Sequence, residues 1–128
     1  MKPTLKAVVV EDDSDLQFLY KHKLAKEGFE VFTASNGGEG LSVIEEHHPD
    51  IILLDLLMPI MDGAEMLARL RSTEWGSDIR VVILTNISKD EAPPALRFLS
   101  VDRYIVKAHH TPAQVVGIVN EVLGIKPT

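Results

Sequence analysis

Short apolar runs alternate with segments of helical periodicity along the whole chain, and this alternation restricts the fold more than any other feature. The apolar runs span residues 5–10, 29–34, 50–54, 79–85 and 102–107. The run IILL at 51–54 has no polar residue on either face, which is typical of a parallel strand covered on both sides. Five strand–helix repeats predict an α/β fold, a doubly wound parallel sheet with helices on both faces.

The segments between the strands carry helix signals of different strength. Apolar residues recur at helical spacing over 16–24, and Gly28 is a signal for the C-terminal end of this helix. Its predicted N-cap is Asp13 or Ser14. The sequence TPAQ at 111–114 predicts a capping box with proline at the first helical position. Further helices are predicted over 35–48, 64–72 and 88–100. The last of these is weakened by Pro93 and Pro94, which fit its first turn better than its middle.

Composition limits the classes of function that this chain can have. It has 128 residues, so we expect one domain over 1–128, and no output domain beside it. The net charge of −6, from 19 acidic and 13 basic residues, argues against direct binding of nucleic acid. We find no 18-residue apolar run and no signal peptide, so we expect no membrane span and a cytoplasmic location. Cysteine is absent, which excludes disulfides and thiolate metal sites.

Polar side chains follow four of the five predicted strands. Because ligands of an open parallel sheet bind outside the carboxyl ends of its strands, we expect these side chains to converge at one edge. The residues are Glu11, Asp12 and Asp13 after the first strand, Asp55 after the third, Thr85 at the end of the fourth and Lys107 at the end of the fifth. Each alone could be a helix cap, a turn residue or a solvated charge. Their common position favours a functional site.

Three clustered carboxylates require a cation, because like charges about 4 Å apart repel by roughly 4 kcal/mol at an effective dielectric constant near 20. Oxygen ligands alone suit Mg²⁺ or Ca²⁺. A carboxylate can also attack phosphorus and form an aspartyl phosphate. In such a transfer a lysine and a metal ion offset charge on the phosphoryl oxygens, and a hydroxyl donates a hydrogen bond to one of them.

With these residues in place, the chain resembles the receiver domain of bacterial two-component response regulators. The matching segments are VVEDDSD at 9–15, LLDLLMPIMDG at 53–63, ILTN at 83–86 and DRYIVK at 102–107. In this order and at these spacings they are a strong signal, although each alone would be weak. The resemblance implies a flavodoxin-like (βα)5 fold with strand order 2-1-3-4-5.

The resemblance also implies a role for each site residue. Asp55 is the expected phosphoacceptor and Mg²⁺ the expected cofactor. The expected metal ligands are Asp12 directly, Glu11 mainly through water, Asp55 itself and the backbone carbonyl of Leu57. Thr85 and Lys107 are expected to contact the phosphoryl group, and Tyr104 is expected to be the aromatic switch that turns inward when Thr85 moves. Such a domain catalyses only its own phosphorylation and dephosphorylation and is not otherwise an enzyme.

The expected partners follow from the same resemblance. The phosphoryl donor is a phosphohistidine on a sensor kinase or phosphotransfer protein, or a small acyl phosphate. A downstream protein target is expected, as is dimerisation through the face formed by the fourth predicted helix, the fifth strand and the last helix. Phe18 points away from the apolar stripe of the first helix, so it is a candidate docking residue for the kinase, with a partly buried aromatic as the alternative.

Several positions depart from the usual receiver pattern. Ala108 follows Lys107 where proline across a cis bond is usual, Asn86 replaces a small residue, and Ser100 replaces a glycine. The side chains expected to tune hydrolysis of the aspartyl phosphate, Leu57 and Ile87, are apolar and orient water poorly, so we predict slow self-dephosphorylation. Two other functions remain open: a phosphorylation-independent adaptor, and a Mg²⁺-dependent phosphohydrolase that lacks a convincing second acid.

Overall fold

The computed structural model describes residues 4–125, which form a five-stranded parallel sheet flanked by helices. The strands are β1 (Lys6–Val10), β2 (Glu30–Ala34), β3 (Ile51–Leu54), β4 (Arg80–Thr85) and β5 (Arg103–Val106). The α-helices are α1 (Ser14–Lys26), α2 (Gly37–His47), α3 (Gly63–Arg71) and α4 (Pro112–Val122). The order β2-β1-β3-β4-β5 confirms the predicted doubly wound, flavodoxin-like topology. None of the helices within residues 4–125 is long and apolar enough to cross a bilayer.

The sheet separates two apolar clusters because successive strand side chains point to opposite faces. On one face Val9, Leu53 and Ile105 pack with residues of α1 and α4. On the other face Val8 and Ile52 pack with residues of α2 and α3. The central strand β3 is therefore apolar at every position, as its sequence predicted.

The register brings the strand ends to one edge of the sheet. Val10 lies opposite both Ala34 and Leu54, and Leu54 lies opposite Ile83. The residues after β1 and β3 therefore enter the same region, where α1 begins. Asp13 caps this helix, because its Oδ1 accepts hydrogen bonds from the amides of Asp15 and Leu16.

The capping box predicted for the last helix is confirmed. The Thr111 hydroxyl accepts a hydrogen bond from the Gln114 amide at 3.2 Å, and the Gln114 side chain accepts one from the Thr111 amide at 2.8 Å. Two of the orphan donors at the start of α4 are satisfied in this way.

The prediction of a helix over 88–100 is wrong. This segment forms two short 3₁₀ turns, Lys89–Glu91 and Pro94–Phe98. The consecutive prolines are the cause, since each lacks an N–H and each disfavours helical geometry in the residue before it. Ala92 and Pro93 have ψ values of 146° and 128°, outside the helical region. A groove of about 760 Å³ lies between this segment and β5, lined in part by Pro93, Leu96 and Tyr104.

Arg71, at the end of α3, holds the loops on either side of β4. Its guanidinium donates hydrogen bonds to five backbone carbonyls. The acceptors include Leu99 at 2.8 Å and Ser100 and Ile79 at 2.7 Å. Burial lowers the pKa of this guanidinium, although Asp102 opposes the effect. Ser100 has a φ of 55°, so the serine that stands at the usual glycine position adopts the left-handed conformation that glycine favours.

Candidate functional site

Most of the polar side chains predicted to converge do meet at the carboxyl edge of the sheet. Glu11, Asp55 and Thr85 are buried there, with exposed fractions of 3%, 6% and 0%. A buried carboxylate is costly unless it is hydrogen-bonded and paired with a cation. The contacts of these two acids therefore decide what the site can do.

Backbone groups fix the position of Asp55. Its amide bonds to the carbonyl of Val10 at 3.0 Å, which extends the β1–β3 pairing by one residue. Its Oδ1 accepts hydrogen bonds from the amides of Leu56 at 2.7 Å and Leu57 at 3.4 Å. The following loop closes beside it, since the Gly63 amide bonds to the Leu56 carbonyl at 3.0 Å. A Cβ on Gly63 would lie 2.1 Å from the Asp55 carbonyl oxygen, so only glycine fits there.

Lys107 bridges the two buried acids. Its Nζ lies 2.5 Å from Glu11 Oε1 and 3.0 Å from Asp55 Oδ2. The second Glu11 oxygen accepts a hydrogen bond from the Asp13 amide at 3.1 Å. One ammonium therefore serves two buried carboxylates, and a third carboxylate, that of Asp12, stands nearby.

The electrostatics of the site reflect this excess of acid. Burial raises the pKa of Glu11 to about 7, and the hydrogen bond from Lys107 only partly opposes this effect. Burial alone would lower the pKa of Lys107, but hydrogen bonds to Glu11 and Asp55 raise it, so the ammonium stays charged. The excess of acidic groups over the single ammonium therefore favours binding of a further cation at this site.

The acidic cluster fits a divalent metal ion. Glu11, Asp12 and Asp55 each offer a carboxylate oxygen, and these oxygens lie within 4.8 Å of one another. Asp12 is exposed whereas the other two are buried, so an ion would reach the cluster from the solvent side. Carboxylate oxygens suit Mg²⁺, which usually binds one or two carboxylates and keeps several of its own waters. The carbonyl of Leu57 stays a predicted ligand.

Thr85 and Tyr104 both contact the residue two positions after Thr85. The Ile87 amide donates to Thr85 Oγ1 at 3.5 Å, and the Tyr104 hydroxyl donates to the Ile87 carbonyl at 2.7 Å. Burial, followed by the charge of Asp55, raises the pKa of Tyr104. The two predicted switch residues are therefore linked through one residue of the β4 loop.

Other predicted positions lie outside the acidic cluster. The Phe18 side chain is 70% exposed on α1, which contradicts the partly buried alternative, and its ring stacks on His22 at 6.2 Å. The Lys107–Ala108 bond is trans and begins a 3₁₀ turn over Lys107–His109, so the loop lacks the cis bond of the usual pattern. Asn86 is exposed.

Sequence patterns revealed neither the role of Gln17 at the site nor the strained backbone at Ile60. Gln17 donates hydrogen bonds to the carbonyls of Glu11 at 2.9 Å and Ala34 at 3.0 Å, which ties α1 to the ends of β1 and β2. Ile60, in the loop after Asp55, has a φ of 70° and is 89% exposed. Neither feature has a signal in the sequence, because the carbonyls that Gln17 bonds and the loop conformation at Ile60 are set by the folded chain.

Comparisons with known proteins agree with this geometry. The family model described as the response regulator receiver domain matches residues 7–119. Sporulation initiation phosphotransferase F of Bacillus subtilis is 36% identical over 80 residues, which cover 62% of this chain and 63% of that protein. The transcriptional regulatory protein PrrA of Mycobacterium tuberculosis is 36% identical over 102 residues, 80% of this chain and 43% of that protein.

A solved structure supports the fold. The chemotaxis response regulator CheY4 of Vibrio cholerae superposes with a TM-score of 0.86 at 24% identity, covering 94% of this chain and 99% of that one. The aligned segments span between 41% and 63% of the length of the first curated relatives. The family match covers most of the sequence, and the acidic site lies within it. The chain therefore belongs to the response regulator receiver domain family.

Proposed function

We propose that the chain accepts a phosphoryl group on Asp55 in a Mg²⁺-dependent reaction and signals through protein contacts that depend on this modification. The observation that carries the proposal is the pairing of Asp55 with Lys107 at 3.0 Å beside the Glu11–Asp12 acidic pair. A structural ion pair would not require two further carboxylates at the same place. Receiver domains are signalling modules, and the relatives named above are a sporulation initiation phosphotransferase and a transcriptional regulatory protein.

In the proposed reaction an Asp55 oxygen attacks the phosphorus of the donor. The new O–P bond forms as the bond from phosphorus to the donor's nitrogen or oxygen breaks, and the leaving group departs with the bonding electrons. The Leu56 amide, 2.7 Å from Oδ1, orients the carboxylate for this attack. Glu11, Asp12 and Asp55 would hold Mg²⁺, and the bound ion would supply positive charge close to the phosphoryl oxygens.

Lys107 and Thr85 then hold the phosphoryl group. The Lys107 ammonium already lies at hydrogen-bond distance from Asp55 Oδ2, so a small movement suffices to reach a phosphoryl oxygen. The Thr85 hydroxyl accepts only a long bond, 3.5 Å, from Ile87, which leaves its proton free to be donated. A shift of Thr85 would disturb Ile87 and through it the hydroxyl of Tyr104. We propose that phosphorylation changes the groove beside β5 through this link from Thr85 to Tyr104.

The proposed partners fit different surfaces. The donor is a phosphohistidine of a kinase or phosphotransfer protein, and exposed Phe18 on α1 is a proposed docking residue for it. A downstream protein would read the segment 88–100, β5 and α4, where Tyr104 lines the groove. Unchanged binding of a cognate kinase by Phe18→Ala would exclude the first assignment.

One experiment tests the reaction. The protein is incubated with acetyl phosphate and Mg²⁺, and its intact mass is measured beside that of Asp55→Asn. We expect a single added phosphate that is absent in the variant and absent when the metal is chelated. No adduct would favour a phosphorylation-independent adaptor, whereas rapid turnover of acetyl phosphate without an adduct would favour a phosphohydrolase.

A further inference from the structure

Tyr20 brings to the acidic site a hydroxyl group that the proposed reaction does not use. The residue lies on α1, is 3% exposed, and its ring belongs to the apolar cluster between α1 and the sheet. Within residues 4–125 the hydrogen bonds of tyrosine hydroxyls are those of Tyr104, and Tyr20 makes none. A leucine could fill a buried position on this helix without adding a polar atom. The hydroxyl of Tyr20 is therefore a donor whose proton no group of the described chain accepts.

Tyr20 lines a narrow cavity together with two acids of the site. The lining includes Tyr20, Glu11 and Asp55, and apolar residues of β1, β3 and β4 complete it. The cavity is too narrow to hold a water molecule. Burial raises the pKa of Tyr20, and the nearby charges of Lys107 and Glu11 act on this pKa in opposite directions. The phenol therefore lies close to both members of the Lys107–Glu11 ion pair.

The proposed reaction changes the hydrogen bonds of Glu11. Before phosphorylation its two carboxylate oxygens are satisfied, Oε1 by Lys107 at 2.5 Å and Oε2 by the Asp13 amide at 3.1 Å. A phosphoryl group on Asp55 extends beyond the carboxylate, so Lys107 must move outward to reach the phosphoryl oxygens. This movement lengthens the bond from Lys107 to Glu11. A buried carboxylate oxygen that loses its donor is costly unless another donor replaces it.

We propose that the Tyr20 hydroxyl donates a hydrogen bond to Glu11 when Lys107 moves to the phosphoryl group. Tyr20 is then a positioning residue, because it keeps Glu11 in place at the metal site while the ammonium offsets charge on the phosphoryl oxygens. No water can take this role from inside the cavity, since none fits there. A hydrogen bond to an ionised acceptor is also stronger than one between neutral groups. This inference rests on the proposed function, because it assumes that Asp55 is phosphorylated.

The test compares Tyr20→Phe with Thr33→Val. The first variant removes one oxygen atom and keeps the ring in the apolar cluster. Thr33 is half-buried on β2, on the same face as Val31, and its hydroxyl makes no hydrogen bond within residues 4–125. With saturating Mg²⁺ we expect acetyl phosphate to label Tyr20→Phe about tenfold more slowly than wild type, because a hydrogen bond to a charged group contributes at least this factor. Thr33→Val should be labelled at the wild-type rate.

Two readouts on the unphosphorylated protein separate positioning from damage to the fold. The Tyr20 hydroxyl makes no protein hydrogen bond in this state, so the Tm of Tyr20→Phe should stay within about 2 °C of wild type. Calorimetric titration should give a Kd for Mg²⁺ within about twofold of wild type. A spectroscopic readout follows the hydroxyl itself in protein labelled with ¹³C at tyrosine Cζ. The Tyr20 resonance, identified by its absence in Tyr20→Phe, should shift on phosphorylation.

The outcomes that would overturn the inference are distinct from those that would refute the proposed function. Equal labelling rates of wild type and Tyr20→Phe overturn it, because they mean that Glu11 needs no donor or that a metal-bound water supplies one. Equal slowing in Thr33→Val, or a Cζ resonance that phosphorylation leaves unshifted, overturns it as well. Failure of acetyl phosphate to label Asp55 in the wild-type protein refutes the proposed function instead.

Discussion

Replacing Gly63 by alanine should displace the backbone that carries Asp55, without changing any side chain that we assign to the reaction. The added Cβ would lie 2.1 Å from the Asp55 carbonyl oxygen and 3.0 Å from the Leu56 Cα. Carbon and oxygen atoms do not approach so closely, so the start of α3 and the end of β3 must separate by about 1 Å. The crowded atoms belong to the backbone, and no side-chain rotation can relieve the contact.

The cost follows from two parts of the structure. Overpacking of this kind costs about 1–3 kcal/mol, and loss of the 3.0 Å bond from Gly63 to Leu56 adds roughly 1 kcal/mol. We therefore expect the free energy of unfolding to fall by about 2–4 kcal/mol and the Tm by roughly 10 °C. The displaced Asp55 should also accept phosphate more slowly, since its carboxylate depends on the neighbouring amides for orientation.

Gly117→Ala is the matched control. Gly117 lies within α4, and a Cβ there would meet nothing within 4 Å. Alanine is the better helix former, so this variant should gain about 0.5–1 kcal/mol. Urea unfolding followed by circular dichroism measures both changes, and the mass assay with acetyl phosphate measures labelling. A Gly63→Ala protein as stable and as readily labelled as wild type would refute the argument from close approach.

Three further predictions concern other parts of the molecule. Arg71→Lys should lower the free energy of unfolding by roughly 2–3 kcal/mol, because a lysine cannot reach the five carbonyls that the guanidinium bonds; an unchanged urea midpoint would contradict this. Leu57→Asn and Ile87→Glu should each shorten the lifetime of the phosphorylated protein by roughly tenfold, because the new polar side chains can orient an attacking water. Loss of the added mass over time measures this lifetime. Lifetimes no shorter than in wild type would show that the apolar side chains at these positions do not slow hydrolysis. Burial raises the pKa of both Tyr20 and Tyr104, so the unfolded chain ionises first and stability should fall as pH rises above about 10. Phenolate absorbance rising at the pH of free tyrosine would count against this.

The strands and the site edge could be predicted because their signals are local. A run such as 51–54 is apolar at every position, and the rule that ligands bind beyond the carboxyl ends then singles out Asp55 and Lys107. The observed bridge from Lys107 to Glu11 and Asp55 agrees with that expectation.

Other features depend on tertiary context that a sequence pattern does not contain. The Pro93–Pro94 pair was a visible warning, but helical spacing around it favoured a helix that the backbone cannot form. The five acceptors of Arg71 come from two loops that meet only after folding. The strain at Ile60 likewise depends on a loop conformation set by distant bonds, among them that of Gly37 to Met61.

The short 3₁₀ turns after β4 have a consequence for local unfolding. Between Ser88 and Leu99 the backbone bonds are short-range, such as Glu91 to Ser88 and Leu96 to Pro93, and they belong to no continuous ladder. Arg71 then fixes Leu99 and Ser100. Amide hydrogen exchange should therefore be fast between Ser88 and Leu99 and slow within β4. The boundary between the two rates should lie just after β4. A partner could therefore change the conformation of this segment at small energetic cost, while the sheet that carries Asp55 keeps its hydrogen bonds.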